Sequence, residues 1–341
     1  MNRNTTLDFL KFFAIAGVVV IHTKPFIENE IGLALNSLAR FAVPFFFIIS
    51  GYLFTKKLNN DLTRYGKQII KLTKLYLSWY LVYLAYDLIV MISSNTDKSF
   101  LENIYQYSYE NLSVINLIYY GTGTSGYQLW YLPTLILATI VLFVFLSVNR
   151  VKYLLIGSLI LHIFGVIGES YTLILDTWFQ TREVLFFGLF YTTLGAFIAK
   201  NENAVYFSLK SKYYLMLGLL FCALQVLERY ILIAKLGETL SSDFVFTTIF
   251  ASLFLFLFAL KSPNIGSESL LTKIGGNAVG IFVIHVLIMK IGDRFIELIN
   301  LEAVKDTIAW DLFYTPIILI ISFYLYQLIQ VLKKPVINLK R

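Results

Sequence analysis

Charge is what this chain has least of. Asp, Glu, Lys and Arg make up 14% of its 341 residues, while 58% are hydrophobic. Soluble domains run near roughly 25% charged and about 45–50% apolar. A soluble core cannot absorb that difference, so an integral membrane protein is expected. Cysteine is nearly absent. Cys222, alone in the run GLLFCALQVL, excludes an intrachain disulfide and a cysteine metal cluster, and it reads as a small buried hydrophobe. Histidine occurs three times, at His22, His162 and His285, each in a different apolar segment. None has the close spacing of a zinc motif, so no metal is expected. The basic excess of +7 is spread through short segments between apolar runs, which is a pattern of membrane topology rather than of nucleic-acid binding. No small-x-small cleavage site follows the first apolar stretch, so that stretch is expected to remain as a span.

What abounds is apolar and aromatic. The 23 tyrosines and 30 phenylalanines suit a protein whose rings sit at membrane interfaces. A helix needs about 20 apolar residues to cross a bilayer. The stretches that meet this are roughly 7–27, 36–55, 75–94, 128–148, 152–168, 184–199, 213–234, 243–260, 275–292 and 310–332. The expected fold is therefore all-α: a polytopic integral membrane helix bundle of about ten transmembrane helices, with 1–341 forming a single domain. With the N-terminus inside, most lysines and arginines fall in cytoplasmic segments, including the run from Lys56 to Lys74 and the closing KKPVINLKR. Both termini are then cytoplasmic, and the inner (cytoplasmic) cell membrane is the expected location. The longest outer connection, about 96–127, ends in GTGTSGY. That turn resembles no P-loop and reads as a mobile external loop. No internal repeat suggests a transporter of two inverted halves.

Against this background the first span, LDFLKFFAIAGVVVIH, stands out for its Asp8, Lys11 and His22. Ionisable groups within a span are costly and need an edge, a partner or a site. At 3.6 residues per turn, Lys11 and His22 share nearly one helix face about 16 Å apart, and Asp8 lies one turn before Lys11, close enough to pair with it. One reading is an interfacial ion pair with a snorkelling lysine, His22 merely marking the outer end. The other is a polar stripe along a cavity, basic at the cytoplasmic mouth and carrying a titratable base farther in; imidazole, with its ordinary pKa near about 6.5, suits general-base work.

The remaining polar residues are read more plainly. Arg40 starts the second span on the outer side, as an interfacial anchor or a group that steadies negative charge. Ser50-Gly51 reads as the inner end of that span. Asp87 in LVYLAYDLIV needs a partner or a proton. Glu228 and Arg229 are adjacent and must point to different sides of their helix. His285, midway through IFVIHVLIM, is a second-tier site residue. His162 reads as a satisfied packing histidine, and Tyr131 as an interfacial anchor.

LDFLKFFAIAGVVVIH resembles the first-span signature of the membrane acyltransferase-3 family, an LD pair and a basic residue followed at a ten-residue interval by histidine. RFAVPFFFIISGYLF (40–54), KLTKLYLSWY (71–80), LWYL (129–132), TREVLFFGLFYTTLGAFIA (181–199) and IGGNAVGIFVIH (274–285) resemble later family segments in order. Lysines stand at 11, 71 and 74 where the family commonly has arginine. The resemblance implies transfer of an acyl group, commonly acetyl, from cytoplasmic acyl-CoA (acetyl-CoA as co-substrate) to a hydroxyl of a saccharide or lipid-linked glycan. It attaches the catalytic role to His22, with Lys11 and its partner Asp8 beside it, and donor binding to Lys11, Lys71 and Lys74. Arg40 and His285 are second-tier candidates for holding the acceptor. A lysine is a point charge, whereas arginine is a planar fork that grips phosphate bidentately. Either direct transfer or an acyl-enzyme fits this pattern.

The rival class is a transporter or flippase of a glycan, lipid or small solute, since polar residues within spans suit it equally. A sensor or scaffold is less expected, because no appended soluble domain is read in the chain. Lys11-x10-His22 together with the basic start of the third span favours the enzyme.

Overall fold

A computed structural model of the protein describes residues 3–58, 62–93, 100–175, 177, 181, 183–202, 208–237 and 244–338. Parts of six stretches singled out above lie outside them: 59–61 of the basic run, 94 of the expected span 75–94, 96–99 of the outer connection, 182 of the family segment 181–199, 243 of the expected span 243–260 and 339–341 of the C-terminal end. Among the described residues there is no strand. Seven helices are long and apolar enough to cross a membrane, eight if one bent pair counts as a single span. The two remaining expected spans coincide with shorter apolar helices, Val184–Lys200 and Phe246–Lys261. The protein is a multi-pass, all-α membrane protein.

The chain divides into two compact units, Met1–Phe46 with Ser208–Arg341, and Phe47–Phe207. In the first unit, α1 (Thr5–Thr23) packs on α2 (Glu30–Ala39), α10 (Phe246–Lys261), α11 (Leu270–Gly276), α12 (Ala278–Leu298) and α13 (Ile308–Asn338), while α9 (Ser211–Leu236) pairs with α10. Asn4 caps α1, its side chain accepting from Leu7 N at 3.0 Å, which relieves one of the orphan N–H groups of the first turn. The helix ends at Lys24, which adopts a left-handed conformation (φ 49°) just ahead of Pro25. The expected first span therefore stops short of residue 27.

Other boundaries move for equally local reasons. The expected span 36–55 starts earlier and is broken at Arg40–Phe41, between α2 and α3 (Ala42–Leu58). Its expected end at Ser50-Gly51 is in fact mid-helix. The expected span 275–292 is a bent pair, α11 and α12, meeting at 79°. Cys222 is half-buried on α9 rather than buried.

The second unit contains α4 (Leu62–Ser93), α5 (Phe100–Asn111), α6 (Tyr131–Ser147), α7 (Val151–Ser170) and α8 (Leu189–Lys200), and its buried cluster joins Phe54, Tyr65, Ala138, Leu142, Leu154 and Leu189. Here Gly51 explains the Ser-Gly pair. A Cβ on Gly51 would lie 1.9 Å from Thr192 O, and one on Gly195 would lie 2.0 Å from Ile48 O. The α3 and α8 backbones cross where only hydrogen fits, the small-residue packing that lets membrane helices approach closely.

From residue 100 to the start of α6 the connection is folded rather than a mobile loop. Asp87 Oδ2 on α4 accepts from Tyr107 Oη and from Ser125 N, both at 2.8 Å. Tyr76 Oη donates to Leu117 O at 2.6 Å. The GTGTSGY turn thus supplies a backbone N–H to a carboxylate of its own chain. Burial and the Asp87 carboxylate beside it push the Tyr107 phenol well up from its ordinary range.

Candidate active site

Asp8, Lys11, His22, Arg40 and His285 all lie in the first unit, whereas Lys71 and Lys74 lie in the second. At the start of α1 the Asp8 carboxylate takes two cations. Arg3 Nε stands 2.7 Å from Oδ2, and Lys11 Nζ stands 3.1 Å from Oδ1. The Asp8–Lys11 pairing read from the i, i+3 spacing is present. Both side chains are partly shielded, 13% exposed for Asp8 and 20% for Lys11, while Arg3 is open to solvent. Such a pair adds about 0–1 kcal/mol to stability; its main effect is to fix where the ammonium sits.

What aims α1 is the IGGNAVG stretch. A Cβ on Gly275 would fall 1.9 Å from Asp8 O and 2.6 Å from Phe12 N, so α11 lies backbone-to-backbone across the first turns of α1. The chain then bends at Asn277 and α12 runs on beside α1. The far end of α1 is tied down separately. Thr23 Oγ1 and Thr315 Oγ1 are 2.6 Å apart, and Phe26 N donates to Asp311 at 3.0 Å, both partners belonging to α13.

Between these anchors His22, in the last turn of α1, faces α12. Its ring centroid lies 5.3 Å from that of His285, the planes tilted by 33°. His22 is half-buried and His285 is fully buried. His285 Nδ1 is 3.1 Å from Ile281 O. A carbonyl oxygen can only accept, so Nδ1 carries the hydrogen and the neutral ring presents Nε2 as an acceptor. That buried Nε2 has no hydrogen-bond partner among the described residues. The imidazole on the first span therefore turns inward, against a second imidazole whose free lone pair is dry. Such an arrangement can receive a proton at His22 and a donor hydrogen bond at His285.

Arg40 belongs to a different cluster. It is buried, and its Nε and Nη2 donate to Asn36 Oδ1 at 3.1 and 2.9 Å. Arg229 Nη1 donates to the same oxygen at 2.9 Å. Glu228 turns the other way and caps α10, accepting from Phe246 N and Thr247 N at 3.0 and 2.9 Å. The opposed directions expected of these neighbours hold. Asn36 is the residue that sequence reading missed; its place one turn before Arg40 is the signal that would have found it.

In the second unit Arg64, Lys67, Lys71 and Lys74 are all exposed on α4. Their spacing places them on one face over about 15 Å. The helix has 32 residues, about 48 Å at 1.5 Å each, against a hydrocarbon thickness of about 30 Å. Its basic first turns can project beyond the membrane. Lys56 is taken up by Glu202, which also accepts from Tyr52 Oη at 2.6 Å. Ser50 Oγ is 3.2 Å from Tyr131 Oη, a helix-to-helix link from α3 to α6. His162 is satisfied, as expected: Nδ1 donates to Phe186 O at 2.7 Å, and Nε2 lies 3.1 Å from Tyr191 Oη.

The fold defines a polytopic helical membrane protein in which two imidazoles from different helices face each other inside one unit. The chain belongs to the acyltransferase-3 family: the family profile, described as an acyltransferase domain, matches residues 4–327. Two curated proteins of Enterococcus faecalis, each named amino-acid racemase, are similar to it. One is 30% identical over 234 residues, which is 63% of this chain and 30% of that protein. The other is 27% identical over 219 residues, 61% of this chain and 28% of that protein. The chain thus matches less than a third of the length of either, and racemisation is a property named for those proteins. No solved structure matches.

Proposed function

We propose that the protein is an O-acyltransferase that moves an acyl group, acetyl by default, from cytoplasmic acyl-CoA to a hydroxyl of a cell-surface saccharide or lipid-linked glycan. His22 acts as the general base. The observation that carries this reading is the inward-facing His22 imidazole, which shares α1 with the Asp8–Lys11 pair and is set against the buried His285 of α12. A histidine that only marked a span end would turn to the headgroups.

In the transfer step the acceptor O–H bond breaks as the oxygen attacks the thioester carbonyl. The proton passes to the His22 ring, a new C–O bond forms and the C–S bond breaks. The CoA thiolate then takes the proton from the imidazolium, so the base is regenerated. CoA carries several phosphate charges that stay out of hydrocarbon. The cations assigned to them are Lys11 on α1 and, as a separate candidate face, Lys71 and Lys74 on α4. Lysine offers each phosphate a point charge in place of a bidentate fork.

The test uses the purified protein with radiolabelled acetyl-CoA. Acyl transfer, or acceptor-dependent CoA release, is expected, and His22→Ala abolishes it without changing abundance or thermal unfolding. Full activity in His22→Ala ends the assignment. Solute movement across liposomes without acyl consumption establishes the transport reading instead.

A further inference from the structure

We propose that His285 selects acceptors carrying a second hydroxyl next to the one that is acylated, through a hydrogen bond from that neighbouring hydroxyl to His285 Nε2. The inference rests on His22 being the base and names the acceptor class for that same site.

Three observations carry it. The Nδ1–H to Ile281 O bond commits the ring to one tautomer and leaves Nε2 as a lone-pair acceptor. That atom is buried and has no hydrogen-bond partner, one of thirteen buried side-chain atoms among the described residues in that state; as a lone-pair acceptor it costs free energy until a donor completes it. The ring it belongs to stands 5.3 Å from the His22 ring, so whatever donates to Nε2 sits beside whatever yields its proton to His22. Only an N–H or O–H donor satisfies the atom. An acceptor that places one hydroxyl at His22 has its adjacent carbon, and any hydroxyl on it, within that span. Vicinal hydroxyls meet both requirements with one rigid fragment. A mono-alcohol leaves Nε2 dry and unpaired, and a site built to bond a substrate hydroxyl discriminates strongly against an analogue that lacks it.

Two alternatives for His285 are weaker. A packing histidine normally has both ring nitrogens engaged, as His162 does through Phe186 O and Tyr191 Oη. A metal ligand needs companions, and no group of three His, Cys, Asp or Glu residues suited to a metal occurs among the described residues. The nearby Thr23 and Thr315 hydroxyls are already engaged with each other.

The experiment compares a panel of methyl hexopyranosides with their monodeoxy derivatives as acceptors for radiolabelled acetyl-CoA. In the unsubstituted protein, loss of the neighbouring hydroxyl is expected to lower kcat/KM on the order of 10- to 100-fold, the cost of leaving one buried acceptor unpaired. In His285→Leu the ratio of the two acceptors falls to near one, and His285→Gln, which returns an acceptor oxygen, restores part of it. A ratio unchanged in His285→Leu overturns the inference, as does an unsubstituted protein indifferent to the deoxygenation. A merely structural His285 lowers both rates together and leaves the ratio alone. Nitrogen NMR of histidine-labelled full-length protein gives a reading that needs no variant of His285 to fold. A proton resident on Nε2 overturns the proposal; one on Nδ1, with an Nε2 resonance that moves on adding the glycoside, supports it. His22→Ala separates the two claims. If it stays active the base assignment fails, whereas an inactive His22→Ala with an unchanged acceptor ratio in His285→Leu removes only the diol selection.

Discussion

A methyl group on Gly275 would lie 1.9 Å from the carbonyl oxygen of Asp8. Real Cβ atoms do not approach an oxygen so closely, so α11 and α1 meet backbone to backbone. That contact sets the start of α1, and α12 leaves it toward His22. Gly275→Ala therefore forces the two helices apart. It is expected to destabilise the protein by about 1–3 kcal/mol or more and to reduce acyl transfer. Gly276→Ala is the control, since the nearest atom to its new methyl is the flexible Arg3 Nη2 at 3.0 Å. Thermal unfolding in detergent compares the two. Equal midpoints for both variants contradict the close-contact account.

The Asp8–Lys11 pair separates charge from stability. Lys11→Ala is expected to change unfolding by less than about 1 kcal/mol, the usual worth of a partly exposed ion pair. Acyl transfer should fall by roughly tenfold or more, the cost of losing one charge-assisted contact of about 1.5–3 kcal/mol to a phosphate, and Lys11→Arg should retain it. Paired measurements of unfolding and of KM for acetyl-CoA decide this. A Lys11→Ala protein with wild-type kinetics removes Lys11 from the donor site.

Lys71 and Lys74 share the exposed basic face of α4. Reversing both charges, Lys71→Glu with Lys74→Glu, should raise KM for acetyl-CoA by on the order of tenfold and leave helix content intact. The KM of the unsubstituted protein should rise with ionic strength, because exposed charges are screened beyond about 8–10 Å at ordinary salt. Titration calorimetry with acetyl-CoA at two salt concentrations measures both effects. Salt-independent binding, equal in the double variant, leaves the stripe as a topology signal only.

Asp87 holds the outer connection by two bonds at 2.8 Å, from Tyr107 and from the backbone of Ser125. Bonds to a charged group contribute about 1.5–3 kcal/mol each. Asp87→Ala should release the segment between residues 100 and 125, seen as faster cleavage there by added protease. Asp87→Asn, which keeps an acceptor oxygen, should fall between. Cleavage unchanged in Asp87→Ala would show that packing of Tyr76 and its neighbours suffices.

Much of the architecture was legible because its signals are local. The expected spans fall on helical segments, two of them divided between a pair of α-helices, since run length and polarity report the solvent a segment meets. The errors cluster where a tertiary contact overrides a local cue. Ser50-Gly51 has the look of a helix end, yet α3 continues because Gly51 is needed where α8 crosses. GTGTSGY has the look of a free turn, yet Asp87, a turn-distant carboxylate, gathers it in. IGGNAVG belongs to no simple span because one glycine serves the crossing with α1 and the next marks the bend. The candidate site divides the same way. Asp8 and Lys11 pair at a spacing that helical geometry alone provides. The spacing of Asn36 and Arg40 offered one of that asparagine's contacts, but the second, from Arg229, comes from a distant helix and no local pattern records it.

By itself the amino-acid order determined that this is a helical membrane protein with a histidine and a lysine on one face of its first helix, and the order of its motifs carried the likeness to the acyltransferase-3 family. Apolar run length and a fixed repeat of 3.6 residues suffice for the first of these. Only the tertiary structure decided that His22 meets His285, that Arg40 is bound up with Asn36 and Arg229, and that Asp87 belongs to the outer connection. His22 and His285, and Asn36 and Arg229, lie far apart along the chain. A buried polar atom is satisfied by whichever helix packing brings near, and no periodicity in the sequence records which one that is.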